Sequence, residues 1–162
     1  MDRQLLIRTS TAVVGDHWST TTVETLSDVV MFRIDNNTTD VKIANLTLRR
    51  PQSSDSDHEM IRSDNSDRIT IDTVHILDSP SRSPLINLRG GTSNTVVNSK
   101  VVNYQVLREE PSPEQPGLHT QIFGSGITLF SNDDLVVLNN EITQDTILDF
   151  GNPVIKGVVQ AS

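Results

Sequence analysis

The sequence predicts an all-β fold, a right-handed parallel β-helix: a solenoid of about five coils with three short strands in each. Three observations carry that expectation. Four segments of the chain superpose without gaps. Their apolar residues alternate with period 2, the period of a strand. Aromatics make up only 4% of the 162 residues, so the core is built from Val, Ile and Leu. Of these, the β-branched Val and Ile suit a pleated, half-buried surface.

The segments are Val41-Lys-Ile-Ala-Asn-Leu-Thr-Leu48, Ile69-Thr-Ile-Asp-Thr-Val-His-Ile76, Thr95-Val-Val-Asn-Ser-Lys-Val-Val102 and Leu135-Val-Val-Leu-Asn-Asn-Glu-Ile142. In this alignment the third position is Ile43, Ile71, Val97 and Val137, and the eighth is Leu48, Ile76, Val102 and Ile142. The fifth is small and polar (Asn45, Thr73, Ser99, Asn139) and marks a bend between two strands whose side chains can stack as a ladder. A further apolar strand precedes each segment, at Val30–Ile34, Met60–Ile61, Leu85–Leu88 and Ile127–Phe130. One coil cannot bury its apolar positions alone, whereas stacked coils bury them as a column.

The remaining elements follow in chain order. Residues 1–28 read as an irregular N-terminal coil or cap, within which residues 5–14 begin a first coil. The segments start 28, 26 and 40 residues apart, and the long interval contains Tyr104–Gln121 with Pro111, Pro113, Pro116 and Gly117. Proline cannot continue a central strand, so 104–121 is expected to be a surface excursion. Val154–Val159 continue a last coil, which makes residues 1–162 one domain. No amphipathic helix caps either end, and open strand edges invite self-association.

Composition narrows the functional classes. A net charge of −8 argues against nucleic acid, whose phosphates require clustered Lys and Arg. No apolar stretch reaches the roughly 18 to 20 residues of a membrane helix. No Cys is present, which removes thiolate ligands, disulfides and a Cys nucleophile. The start, Met1 to Ser10, lacks the apolar stretch of a secretory signal.

The repeated pattern N-x-x-V-x-I-x-N-x-x-I after a short strand resembles the coils of the pectin-lyase-like superfamily of parallel β-helices. Polygalacturonases, pectate lyases and phage tailspikes belong to it. The resemblance covers residues 29–160 and implies a glycan or polysaccharide partner and an extracellular, cell-surface or virion-associated setting. Within it, Ser54-Asp55-Ser56-Asp57-His58-Glu59-Met60-Ile61-Arg62 looks like the stretch bearing the first catalytic carboxylate of polygalacturonases. One coil later that family carries a G-D-D, where this chain has Ser79-Pro80-Ser81-Arg82-Ser83-Pro84-Leu85. Glycoside hydrolysis uses two carboxyl groups, so the polygalacturonase motifs are largely absent.

What the resemblance leaves as catalytic candidates are Asp55, Asp57, Glu59, Arg62 and Arg89. His58, Arg62, Asn87, Arg89 and His119 are the ligand-binding candidates. No cofactor is required, though Asp55, Asp57 and Glu59 offer hard oxygen donors of the kind calcium takes. The expected function is a non-catalytic carbohydrate-recognising module of a surface, adhesive or tailspike-like protein. The alternatives are a polysaccharide lyase or glycoside hydrolase acting on an acidic polysaccharide, and a purely structural assembly module.

Other residues invite weaker readings. His75 falls between inward Val74 and Ile76, so it is expected on the surface as a lone histidine. Trp18, the single Trp, stacks well on sugars, but near a terminus it is expected to seal the core. Gly90-Gly91-Thr92 lacks the spacing and the helix of a phosphate loop and reads as a turn. No Ser has His and Asp partners at recognisable spacing, so a catalytic triad has no support.

Overall fold

The computed structural model describes residues 3–50, 56–111, 118–149 and 155–156. These residues form strands and turns without a helix, and parallel sheets stack them into a β-solenoid. The first rung comprises β1 (Leu5–Ile7), β2 (Ala12–Val14) and β3 (Thr22–Glu24); the second, β4 (Phe32–Ile34) and β5 (Thr39–Arg49). The third holds β6 (Ile61–Asp64) and β7 (Asp67–Leu77); the fourth, β8 (Ile86–Arg89), β9 (Thr95–Val97) and β10 (Lys100–Val102). Next come β11 (Val106–Pro111) and β12 (Leu118–Phe123), followed by the rung of β13 (Ile127–Phe130), β14 (Val136–Leu138) and β15 (Glu141–Thr143). β16 (Thr146–Asp149) and β17 (Ile155–Lys156) end the described chain.

One parallel sheet has the order β1-β4-β6-β8-β13. The other stacks β2 and β3 on β5, β5 on β7, β7 on β9 and β10, and these on β14 and β15. Inward residues form columns along the stack. Phe32, Ile61 and Ile86 make one; Ile43, Ile71 and Val96 a second; Leu48, Ile76 and Val101 a third. All nine are buried. β1, β2 and β3 pair in register with β4 and β5, so a first coil begins within residues 5–14 as expected and extends to Glu24, where an irregular cap was expected.

The bends are set by backbone geometry. Asn45, Thr73, Asn98 and Asn139 take left-handed φ of 55°, 54°, 53° and 56° at one corner. Asp40, Arg68, Ser93 and Asp134 do so at a second corner, with φ of 60°, 52°, 55° and 51°. Left-handed backbone costs an L-residue about 1–2 kcal/mol, least for Asn and Asp, whose short side chains bond locally. Asn98 Nδ2 donates to Asp72 Oδ1 at 3.1 Å, and Asn139 Nδ2 to Asn98 Oδ1 at 3.4 Å. Inside the stack, buried Asn94 accepts from the Ile69 amide at 2.9 Å and donates to Asn132 Oδ1 at 2.7 Å. Gly91, at φ 95°, is a turn residue as expected: a Cβ there would stand 2.0 Å from the Ser66 carbonyl oxygen.

One expectation is corrected and another is made more specific. The third segment aligns one residue earlier than its sequence suggests: Ile71 pairs with Val96 and Ile76 with Val101. Val96 and Val101 therefore point inward, Val97 and Val102 are half-buried, and the bend residue is Asn98 rather than Ser99. Ser99 instead joins an inner ladder, accepting from the Val74 amide at 3.2 Å while its own amide donates to Asn140 Oδ1 at 2.9 Å. The 104–121 excursion is an antiparallel hairpin of β11 and β12, in register from Val106↔Phe123 to Pro111↔Leu118. β11 also pairs with β16, and β16 with β17. Pro111 ends its strand, where a missing N–H is tolerated. Pro113, Pro116, Gly117, Val154 and 157–159 lie outside the described residues.

Candidate functional site

The solenoid presents two outer flanks with chemistry on them. The first is the outer face of the sheet containing β4, β6 and β8. Here the parallel register sets Arg33 beside Arg62, and Arg62 beside Asn87. Asp64 accepts from both Arg33 (2.9 Å) and Arg62 (3.0 Å). Glu59 is buried, with Arg62 NH1 at 3.7 Å, and its Oε1 accepts from Asn87 Nδ2 at 2.9 Å. Arg89 Nε reaches Asn87 Oδ1 at 3.4 Å. Four of the predicted residues (Glu59, Arg62, Asn87, Arg89) thus share one network, joined by Arg33 and Asp64, which the sequence reading did not single out.

The other predicted residues lie elsewhere. Asp57 is exposed and bridged to Arg82 Nε at 2.9 Å. It does not join Glu59, and among the described residues no three His, Asp or Glu gather as metal ligands. His58 is exposed, and its carbonyl accepts from Arg50 NH1 at 2.8 Å and Ser81 Oγ at 3.0 Å. His119 stands in β12 opposite Glu110, in a different sheet. Asp55 lies outside the described residues. Beneath the network, Arg50 is buried and also donates to the carbonyls of Val29 (3.1 Å) and Glu59 (3.3 Å). Its desolvation pushes its pKa down, opposed by Asp28 and Glu59. Chemically, the flank is a mutually satisfied ionic lattice: both of its carboxylates are already engaged by arginine or amide.

The second flank belongs to the other sheet. Val14 pairs with Ala44 and Thr22 with Thr47, so seven residues (15–21) stand in the first rung where two (45–46) stand in the second. The extra chain forms a loop that folds over the outer face. Its conformation is fixed by backbone bonds from the amides of Thr20 and Thr21 to the His17 carbonyl, at 3.0 and 2.8 Å. Thr47 Oγ1 donates to the Trp18 carbonyl at 2.7 Å, anchoring the loop to β5. Trp18 passes over β5 and stacks on His75 of β7, ring centroids 4.1 Å apart and planes inclined by 28°. It therefore covers the outside of the sheet and does not seal the core, and His75 is half-buried beneath it.

A column of outward side chains runs from this stack. Thr22, Thr47, His75, Lys100 and Glu141 are successive register partners, about 4.8 Å apart. Lys100 Nζ binds Glu141 Oε1 at 2.8 Å. A cleft of about 440 Å³ follows the column, lined by Trp18, His75, Lys100, Glu141, Asn98 and Asn139 among others. A second, of about 320 Å³, lies at Trp18 and Leu77 with Thr47, Arg49 and Asp78. Desolvation under Trp18 pushes the His75 pKa below its usual 6.5; Lys100 and His17 push the same way and Glu141 opposes them. His75 is thus neutral at neutral pH, with an apolar partner on its face and a charged pair beside it.

The sequence reading missed this arrangement, although one signal for it was present. Period 2 put His75 outward correctly, but nothing in β7 shows what lies on top of it. The signal was the surplus of chain between β2 and β3, which departs from the repeat and contains the only Trp. No protein-family model, curated protein or solved structure matches this chain.

Proposed function

We propose that this protein is a non-catalytic carbohydrate-recognising module, a right-handed β-helix of five coils, whose recognition surface is the Trp18 flank. The observation that carries the reading is the Trp18–His75 stack at the centre of a polar, rung-spaced column with open clefts beside it. Aromatic planes flanked by a few convergent polar groups are what small-ligand sites are made of, and the amphipathic Trp is suited to a surface that is apolar on one side and wet on the other. The ionic lattice around Arg62 supports an enzyme less well. Glu59 and Asp64 are committed to arginine and asparagine, and a glycosidase needs one carboxyl group free as acid and another as base or nucleophile.

The proposal includes self-association of one copy on another through the strand edges. The last parallel rung leaves Val136, Val137 and Leu138 exposed, an apolar edge of the kind that templates pairing.

A glycan array on the intact chain tests the recognition reading. Binding to a defined glycan set by the wild type, abolished in Trp18→Ala and retained in Arg89→Gln, is the expected outcome. An empty array would favour the purely structural alternative, and loss in Arg89→Gln alone would move the site to the other flank.

A further inference from the structure

Resting on that reading, we propose that the ligand of the Trp18 flank is an anionic oligosaccharide with its acidic groups on alternate sugars, one met by Arg49 and the next by Lys100. The two clefts share Trp18 and Leu77, so they are two halves of one surface divided by an aromatic and aliphatic ridge. Each half contains one permanent cation: Arg49 in the smaller, Lys100 in the larger. Each cation shares its cleft with one carboxylate, Asp78 beside Arg49 and Glu141 beside Lys100, so an incoming acid competes with these neighbours for the cations.

Arg49 makes no ion pair among the described residues, and Asp78, which shares its cleft, is already engaged by Asn103 Nδ2 at 2.6 Å. Glu24 stands beside Arg49 in register on the first rung, and Glu141 beside Lys100 on the last. Register fixes the spacing. Lys100 is two rungs from Thr47, and Arg49 is two residues along the strand from Thr47. At about 4.8 Å per rung and roughly 3.3 Å per residue, the two backbone positions are about 12 Å apart. Taking one sugar of an extended chain to be about as long as a rung is high, we match that separation to acidic groups on every second unit rather than on neighbours. The sugar between them lies over Trp18 and Leu77, where no cation is offered.

Glu141 is the competitor in this arrangement. Its bridge to Lys100 is partly exposed, with side chains 35% and 55% accessible, so it is weak enough for an incoming acid to replace. Removing the Glu141 charge therefore frees Lys100 and should strengthen anion binding, an effect that no purely structural role for the pair produces.

Calorimetry on the full chain with three hexasaccharides tests this: hyaluronan, with a carboxylate on every second sugar; oligogalacturonate, with one on every sugar; and neutral chitohexaose. The proposal expects hyaluronan to bind tightest, weakened about fivefold by Arg49→Gln or Lys100→Gln and tightened severalfold by Glu141→Gln. Oligogalacturonate binding as tightly as hyaluronan would overturn the alternate spacing. Chitohexaose binding as tightly, with all three variants unchanged, would overturn the anionic ligand while leaving glycan recognition intact. Failure of all three to bind overturns the anionic proposal, and an empty array beside it removes glycan recognition as well.

Discussion

At the scale of single residues, two titrating groups have distinct environments that can be checked directly. His75 is held below its usual pKa because the charged imidazolium would lose water under Trp18 and face Lys100. The unfolded chain therefore takes up this proton first. Stability is full above pH 6.5 and is lost as pH falls from 6.5 towards the lower folded pKa. NMR titration is expected to find His75 below 6.5, and Lys100→Gln is expected to move it upward. Asp40 is the opposite case: the Arg68 guanidinium, bonded at 2.7 and 2.9 Å, holds its carboxyl at about 2. Its contribution is complete above pH 3.8 and disappears as pH falls to about 2. In Arg68→Gln the Asp40 carboxyl should titrate higher, towards the ordinary 3.8.

At the scale of the element, the bends decide the register, and the fourth rung shows how. Residues 95–102 contain two valine doublets, Val96-Val97 and Val101-Val102, so the apolar pattern fits two registers equally well. A slip of one residue reverses every side chain, and only the bend distinguishes the two alignments. Asn98 adopts left-handed backbone more readily than Ser99, and the chain bends there. In the other segments Asn45, Thr73 and Asn139 fall where the sequence placed them, because no apolar doublets flank both sides of the bend. Thermal or chemical denaturation can verify the register: Val96→Ala should cost about 2 kcal/mol, and Val97→Ala less than about 0.5 kcal/mol. Thr73 is β-branched at φ 54°, a conformation that suits it poorly. Thr73→Asn, placed between Asn45 and Asn98 in the stack, is expected to stabilise by about 0.5–1 kcal/mol.

At the scale of the whole molecule, the parallel stack was legible because its cause is local and repeated: period-2 alternation, small polar bends and a shortage of aromatics. The ionic flank was half legible. Glu59, Arg62, Asn87 and Arg89 come together because they sit on consecutive strands, whereas Asp57 and His58, only one or two residues before Glu59, turn away to Arg82 and to solvent. The Trp18 flank was not legible, since stacking of Trp18 on His75 joins residues two rungs apart through a loop outside the repeat. The hairpin of β11 and β12 was seen as an interruption only, because its strands pair with each other and with β16 instead of continuing the solenoid. Self-association belongs to this scale too. Sedimentation is expected to give a mass above the 17.9 kDa of one chain, reduced by Val137→Lys, which puts charge on the exposed edge.

The question of which flank recognises ligand is settled most directly by mapping amide and indole chemical shifts during titration with a glycan that binds on the array. The largest changes are expected at the Trp18 indole N–H and at His75, Leu77 and Lys100, with Arg62, Asn87 and Arg89 still. Changes concentrated at Arg62, Asn87 and Arg89, with the Trp18 indole unmoved, would contradict it.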